Sequence, residues 1–420
     1  MTYVNPAAGA RAYQRTQPPL AVPASEVGVD GVDGAVVAAM SKLPVQGQGT
    51  VGLTISRSVP ITVTATGQPG APSFRWTIDH FTARLDLLSV DGGETQLLEV
   101  GGVGLDASLD CPYWFSFDCH NRLVRYGKGE MRLGTMLASC QLPLPPEDRK
   151  KDDPWAWMSG IQDVELSGAL TGFVDLWKDP VTIELPLRIV PHDVITMEEM
   201  AYGRVTVPAS LTQTGQKLYD NVAGKSFLLD TPDFPDFSAA IKASILDKDN
   251  GWCAQILKKK ADEFGDDNPD MTYLRITLGT NQGESPGIPF VMEIWPSGNY
   301  SPIHNHGGSD AVIRVLHGEI TVSLFAFLAP EETNPFAVKT FVKEDVTWIS
   351  PRLNQVHQLK NNNMDEPCIT IQCYLYSEGN DEHHPFFDYL GQDDIEHFDP
   401  NSDADFLTFK RKMQEEWARR

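Results

Sequence analysis

Short runs of β-forming residues, each closed off by turn residues, fill two separate stretches of this chain, and that pattern constrains the fold more than any other feature. The first stretch holds runs at 51–56, 61–66, 83–88, 96–100, 113–118, 123–126 and 181–189. Asp91-Gly92-Gly93 and Cys119-His120-Asn121 supply turns between some of them, as in an antiparallel β-sandwich, which is expected over residues 49–196. The second stretch holds runs at 272–277, 289–295, 311–316, 320–328, 338–342, 347–350, 355–359 and 368–376. Their Gly- and Pro-containing turns predict a small antiparallel barrel or jelly roll over 269–392. Between the two, apolar residues recur three and four apart at 210–222 and 238–246, and a third helix is expected over 252–264, so 197–268 reads as a helical connector. Residues 1–48, rich in Ala, Gly, Pro and Val, read as an extended or poorly ordered lead-in. Residues 393–420 read as an acidic and then helical tail that docks through Phe406, Leu407, Phe409 and Trp417. The expected class is mostly β, and a length of 420 residues suits two or three domains.

Charge narrows the partners. With 34 Lys+Arg against 57 Asp+Glu the net charge is −23, and repulsion from phosphate backbones and anionic headgroups disfavours nucleic acid and membrane surfaces. No apolar run reaches the roughly 18–20 residues of a membrane span, and residues 1–19 lack the order of a secretory signal. The six cysteines form no CxxC pair, so reduced thiols and a cytoplasmic location are expected, with Cys368 and Cys373 in a core strand. Gly283-Glu284-Ser285-Pro286-Gly287 has the form GxSxG, yet a nucleophile elbow needs the backbone N–H after its serine, and Pro286 has none. A hydrolase is thereby excluded.

The chemistry concentrates at residues 298–310. On an extended chain residues two apart point the same way, so His304 and His306 can aim both imidazoles at one point inside a barrel. His357 is a third candidate on a later strand. Imidazoles suit Fe, Zn, Cu and Ni, and three of them leave coordination positions open. His383 and His384 are adjacent, face opposite ways, and are left out.

Gly298, His304, His306, Asp310, Gly318, Pro351, His357 and Asn361 stand in the order and spacing of the cupin superfamily, which the chain resembles. Within cupins it looks most like the cysteine dioxygenase family of thiol dioxygenases. Tyr273-Leu274-Arg275 matches that family's Tyr-x-Arg, and Leu375-Tyr376-Ser377 matches the end of its last strand, so the likeness spans residues 273–377. The resemblance implies that His304, His306 and His357 hold a non-haem Fe(II). It implies that Arg275, with Tyr273 beside it, clamps the carboxylate of cysteine or a related small thiol, and that O2 adds to sulfur to give a sulfinate. Three neutral imidazoles leave the ion's charge uncompensated, which favours bound thiolate, and a guanidinium fork can grip a carboxylate with two bonds.

The sequence also departs from the family. Ala311 stands where vertebrate members carry a cysteine crosslinked to the active-site tyrosine, so that crosslink cannot form. The family's last-strand histidine is missing in either register, one selecting Tyr374 with Gln372 and the other Tyr376. Gln372, Tyr374 and Tyr376 share one strand face, so alternation alone does not choose between the phenols as catalytic groups. Asp310 turned inward would make a three-histidine, one-carboxylate site, but a loop or solvent-facing aspartate is expected beside the Gly307-Gly308 turn. The competing readings are a cupin isomerase, decarboxylase or carbon-carbon-cleaving dioxygenase using Fe, Mn or Ni, and a metal-binding module without turnover. In the first stretch, residues 113–129 resemble a hairpin of the farnesoic acid O-methyltransferase-type domain, which implies a binding or assembly module. A homo-oligomer built through the sandwich stays open.

Overall fold

Strict alternation builds the first sheets. In Ile61–Thr66 the side chains of Ile61, Val63 and Ala65 are buried while the three threonines between them are half-exposed, the signature of a strand with one face on a core. The computed structural model describes residues 3–4, 37–55, 59–106, 111–143, 153–168, 170–181, 184–264, 268–278, 290–330, 332–377, 386–392 and 394–420. Its contacts divide the chain into two units, Met1–Glu184 and Leu185–Arg420.

Among the described residues the first unit forms two six-stranded antiparallel sheets. One runs Tyr3–Val4, Met136–Gln141, Leu123–Lys128, Cys111–Asp118, Gln48–Ile55, Leu170–Trp177 in spatial order; the other runs Val37–Lys42, Asp163–Gly168, Ile61–Thr66, Ser73–Ile78, Thr82–Leu88, Glu94–Gly101. Trp76 of the second sheet meets Phe115 and Tyr126 of the first, with ring centroids 6.3 and 5.7 Å apart, so the two sheets share one aromatic core. Gly127 lies opposite Trp114 in the ladder, and a Cβ there would fall 2.1 Å from the indole. Only glycine lets the ring lie flat on the neighbouring strand.

Several expectations need correction here. Val37–Lys42 pairs with Asp163–Gly168, and Tyr3–Val4 with Met136–Gln141, so part of the expected lead-in is strand. The run expected at 181–189 forms no ladder among the described residues; Ile189 makes only isolated bridges, to Thr206 and Val346, and sits in the core of the second unit. The Gly283–Gly287 motif and His383–His384 lie outside the described residues.

The second unit is a β-barrel of two unequal sheets. The larger runs Val346–Ile349, Asp310–His317, Cys368–Leu375, Val291–Trp295, Leu274–Thr277, Ala404–Asp405, antiparallel except for its last pair. The smaller runs Ala337–Val342, Glu319–Leu324, His357–Lys360, and a hairpin of Phe387–Leu390 and Ile395–Phe398 adds two strands. Strands of the larger sheet are buried on both faces. Leu274, Ile276, Met292, Ile294, Ile369, Ile371 and Cys373 point outward into a core shared with α2 (Gln213–Val222), α3 (Phe237–Leu246), α4 (Trp252–Lys259) and α5 (Phe406–Trp417), which follow the short helix α1 (Met197–Tyr202). The alternate residues, Arg275, Glu293, Trp295, Gln372 and Tyr374, point into the barrel.

The segment read as a connector is therefore the outer layer of the barrel, because a sheet that is apolar on its far face needs helices to cover it. Thr212 caps α2 by accepting from the Gly215 N–H at 2.9 Å. The Asp230 carboxylate receives the Ser238 N–H at the start of α3, at 2.8 Å. In α5 Phe409 is buried against Phe237 and Trp252, but Leu407 is 76% exposed and does not dock.

Candidate metal centre

Backbone pairing sets two of the histidines opposite each other, with their rings edge-on. His304 and His357 exchange both N–H···O bonds at 3.0 Å, which places the start of the smaller sheet's last strand, His357–Lys360, beside the His-x-His segment. His306 follows two residues on, so its ring falls on the same side as His304. Asn305, between them, turns away to donate to Asp388 at 3.1 Å. The chain then reverses through Gly307 and Gly308, both at positive φ (57° and 76°), a conformation that side chains with a Cβ resist. The Gln355 side chain accepts from the Gly308 N–H at 2.9 Å and pins this turn.

The three imidazoles converge with ring centroids 4.7–4.9 Å apart, and their ligand nitrogens lie within 4.8 Å of one another. All three are buried. Burial pushes His304 down to about 4, and drives His306 and His357 well below the ordinary histidine value, reinforced by their neighbouring imidazoles. They are neutral near pH 7, the form a metal needs. His304 Nδ1 lies 3.0 Å from the Pro302 carbonyl, and His357 bonds the Asn354 backbone, which fixes each ring with one nitrogen turned inward. His306 Nδ1 is buried without a hydrogen-bond partner, and His306 Nε2 faces His357 Nε2 at 3.1 Å. Three neutral imidazoles with ring nitrogens gathered at one point inside a barrel fit a divalent ion.

Asp310 does not join them. It is fully buried, not solvent-facing, and it stands on the outward face of its strand with Val312 and Leu316. Its carboxylate accepts from the hydroxyls of Thr212 and, at 2.5 Å, Ser377. Strand alternation sends it toward α2, because Ala311 and Ile313 take the inner face.

A narrow cavity adjoins His304 and His306, with room for little more than one water. Its polar wall is Arg275, Glu293, Gln372 and Tyr374, and its apolar wall includes Trp295, Phe387 and Tyr389. Tyr374 lies parallel to His306, ring centroids 5.3 Å apart, and opposite Ala311 in the ladder. Its hydroxyl donates to Gln372 Oε1. Tyr376 is buried too, but lies outside the wall of the cavity. Tyr273 stacks on Trp295 at 4.1 Å and hydrogen-bonds Arg275.

One residue of this wall escaped the reading of the sequence. Glu293 lies opposite Arg275 in the ladder, and its Oε1 is 3.2 Å from Arg275 Nη1. Its Oε2 accepts from Gln372 Nε2. Burial raises the Glu293 carboxyl against the pull of Arg275. A lone acid inside the apolar run Val291-Met292-Glu293-Ile294-Trp295 was the available signal.

Residues 270–383 match the model of the family described as cysteine dioxygenase type I. No curated protein matches the chain. Among solved structures, a cupin superfamily protein from Desulfitobacterium hafniense is 14% identical over 25% of this chain and 79% of its own, with a TM-score of 0.19. The cupin domain of Schizosaccharomyces pombe Cnp3 is 17% identical over 25% of this chain and 61% of its own, with a TM-score of 0.19. Residues 270–383 are thus similar to the cysteine dioxygenase type I family, and within them lies a buried three-histidine group suited to a metal ion.

Proposed function

We propose that the second unit is an Fe(II) thiol dioxygenase that adds both atoms of O2 to the sulfur of cysteine or a related small carboxylate-bearing thiol. The balance is RSH + O2 → RSO2⁻ + H⁺. The observation that carries this reading is the convergence of three neutral, buried imidazoles beside a buried guanidinium, inside the segment that matches the family. His304, His306 and His357 are the residues that would hold the ion. Fe(II), when bound, supplies the redox chemistry that lets O2 react with a thiolate.

The remaining work falls to the chain. Arg275 keeps Nε and Nη2 buried without partners, two donors suited to a substrate carboxylate. Tyr273 and Glu293 hold the guanidinium in place. Phe387, Trp295 and Tyr389 keep bulk water from the cavity. Tyr374, fixed by Gln372 and stacked on His306, presents its phenol edge beside the site, and it suits the role of the catalytic tyrosine better than Tyr376. A cytoplasmic setting agrees with six buried cysteines that form no disulfide.

Metal analysis with O2 uptake tests the proposal. Stoichiometric iron, oxygen consumed only when thiol is supplied, and a sulfinate product are expected. Tightly bound Mn or Ni with no response to any small thiol would refute it.

A further inference from the structure

We propose that Glu293 is a specificity-determining residue, which makes the site one for thiols that carry an ammonium beside their carboxylate. The inference rests on the thiol dioxygenase reading and names the substrate feature that one wall of the cavity would recognise.

Donors and acceptors on the cavity wall are left unmatched. A guanidinium has five N–H donors, and a carboxylate offers about four acceptor positions. Arg275 pairs with Glu293 through Nη1 and is also bonded by Tyr273, while its Nε and Nη2 find no hydrogen-bond partner among the described residues. Glu293 has an ion-pair contact with Arg275 at Oε1 and one hydrogen bond from Gln372 at Oε2, and retains acceptor positions on both. Unmet donors and unmet acceptors therefore stand side by side on the wall of one cavity. A carboxylate alone meets only the donors, and an ammonium alone only the acceptors. An α-amino acid meets both.

Charge points the same way. Arg275 faces a carboxylate 3.2 Å away, so its charge is already offset before a ligand arrives. Relative to a cavity with Arg275 alone, Glu293 weakens the pull on any anion and strengthens the pull on any cation. Lys260 is the other cation that acts on Glu293, and its ammonium is engaged by Asp403 at 3.1 Å and Glu263 at 3.2 Å. Glu293 is thus the group that shifts preference from des-amino toward amino thiols.

The test measures binding of L-cysteine, 3-mercaptopropionate and 2-aminoethanethiol to the Fe(II)-loaded full chain without O2, by calorimetry. The parent is expected to hold cysteine about tenfold or more tighter than either analogue. In Glu293→Gln the advantage of cysteine over 3-mercaptopropionate should shrink about tenfold, with 3-mercaptopropionate bound as well as before or better. Glu293→Asp keeps the charge and should keep the direction of preference. An unchanged cysteine to 3-mercaptopropionate ratio in Glu293→Gln overturns the inference alone. A parent that binds none of the three thiols overturns the dioxygenase reading and this inference with it.

Discussion

Replacing Arg275 by Met should destabilise the second unit even before any substrate is considered. Arg275 is 3% exposed and Glu293 2%. At 3.2 Å, with an effective dielectric near 20, opposite unit charges attract by about 5 kcal/mol. Removal of one partner leaves the other charge buried, and such losses run to about 3–5 kcal/mol. Glu293 would escape part of that by taking up a proton. Its folded-state pKa already lies above the ordinary 4.5 because of burial, and loss of Arg275 raises it further. A carboxyl raised in the folded state binds more protons there than in the unfolded chain, so the stability of Arg275→Met should fall as pH climbs from about 4.5 through the folded value. Hydrogen–deuterium exchange of the peptides spanning Leu274–Thr277 and Val291–Trp295 reads this locally, without assuming that the two units unfold together. The double variant Arg275→Met, Glu293→Gln removes both charges and keeps an acceptor for Gln372, so it should recover most of the loss. If exchange in Arg275→Met matched the parent within about 1 kcal/mol across that pH range, the buried pair would not be what holds these strands together.

Further outcomes follow from other contacts. His306→Ala should lower bound iron at least tenfold while the far-ultraviolet circular dichroism stays that of a β protein, since the ring lies inside the barrel and not in a ladder. Asp310→Asn should leave iron content unchanged and cost about 1–2 kcal/mol through weakened bonds to Thr212 and Ser377; a drop in iron like that of His306→Ala would make Asp310 a ligand after all. Gly127→Ala should destabilise the first unit by about 1–3 kcal/mol, because its Cβ meets the Trp114 indole, and equal thermal unfolding of variant and parent would contradict that packing. Tyr374→Phe should slow turnover without changing iron content, whereas Tyr376→Phe should leave the rate near that of the parent; the reverse order would move the catalytic role to Tyr376.

What the sequence disclosed and what it withheld divide along a physical line. Strand period and turn residues made the β class legible, and they placed runs such as Ile61–Thr66 residue for residue. His304 and His306 were legible because local alternation fixes their common direction, whatever the rest of the fold does. Edges and layers were not. Val37–Lys42 becomes a strand through its ladder with Asp163–Gly168, far along the chain, and no window around residue 40 contains that partner. The segment expected to link two domains instead covers the barrel, because amphipathic helices show that they need a surface but not which one. Asp310 marks the same boundary: a turn beside it suggested solvent, while its strand phase and the hydroxyls of Thr212 and Ser377 decided otherwise. Glu293 is the deepest case. As one acid in an apolar run it could have been a ladder end, a surface position or an error of strand assignment. Only the register that sets it opposite Arg275 turns it into half of a buried pair. Residues whose roles depend on cross-strand register therefore need the fold before their chemistry can be read, and that is why the substrate-facing wall was harder to see than the metal-facing one.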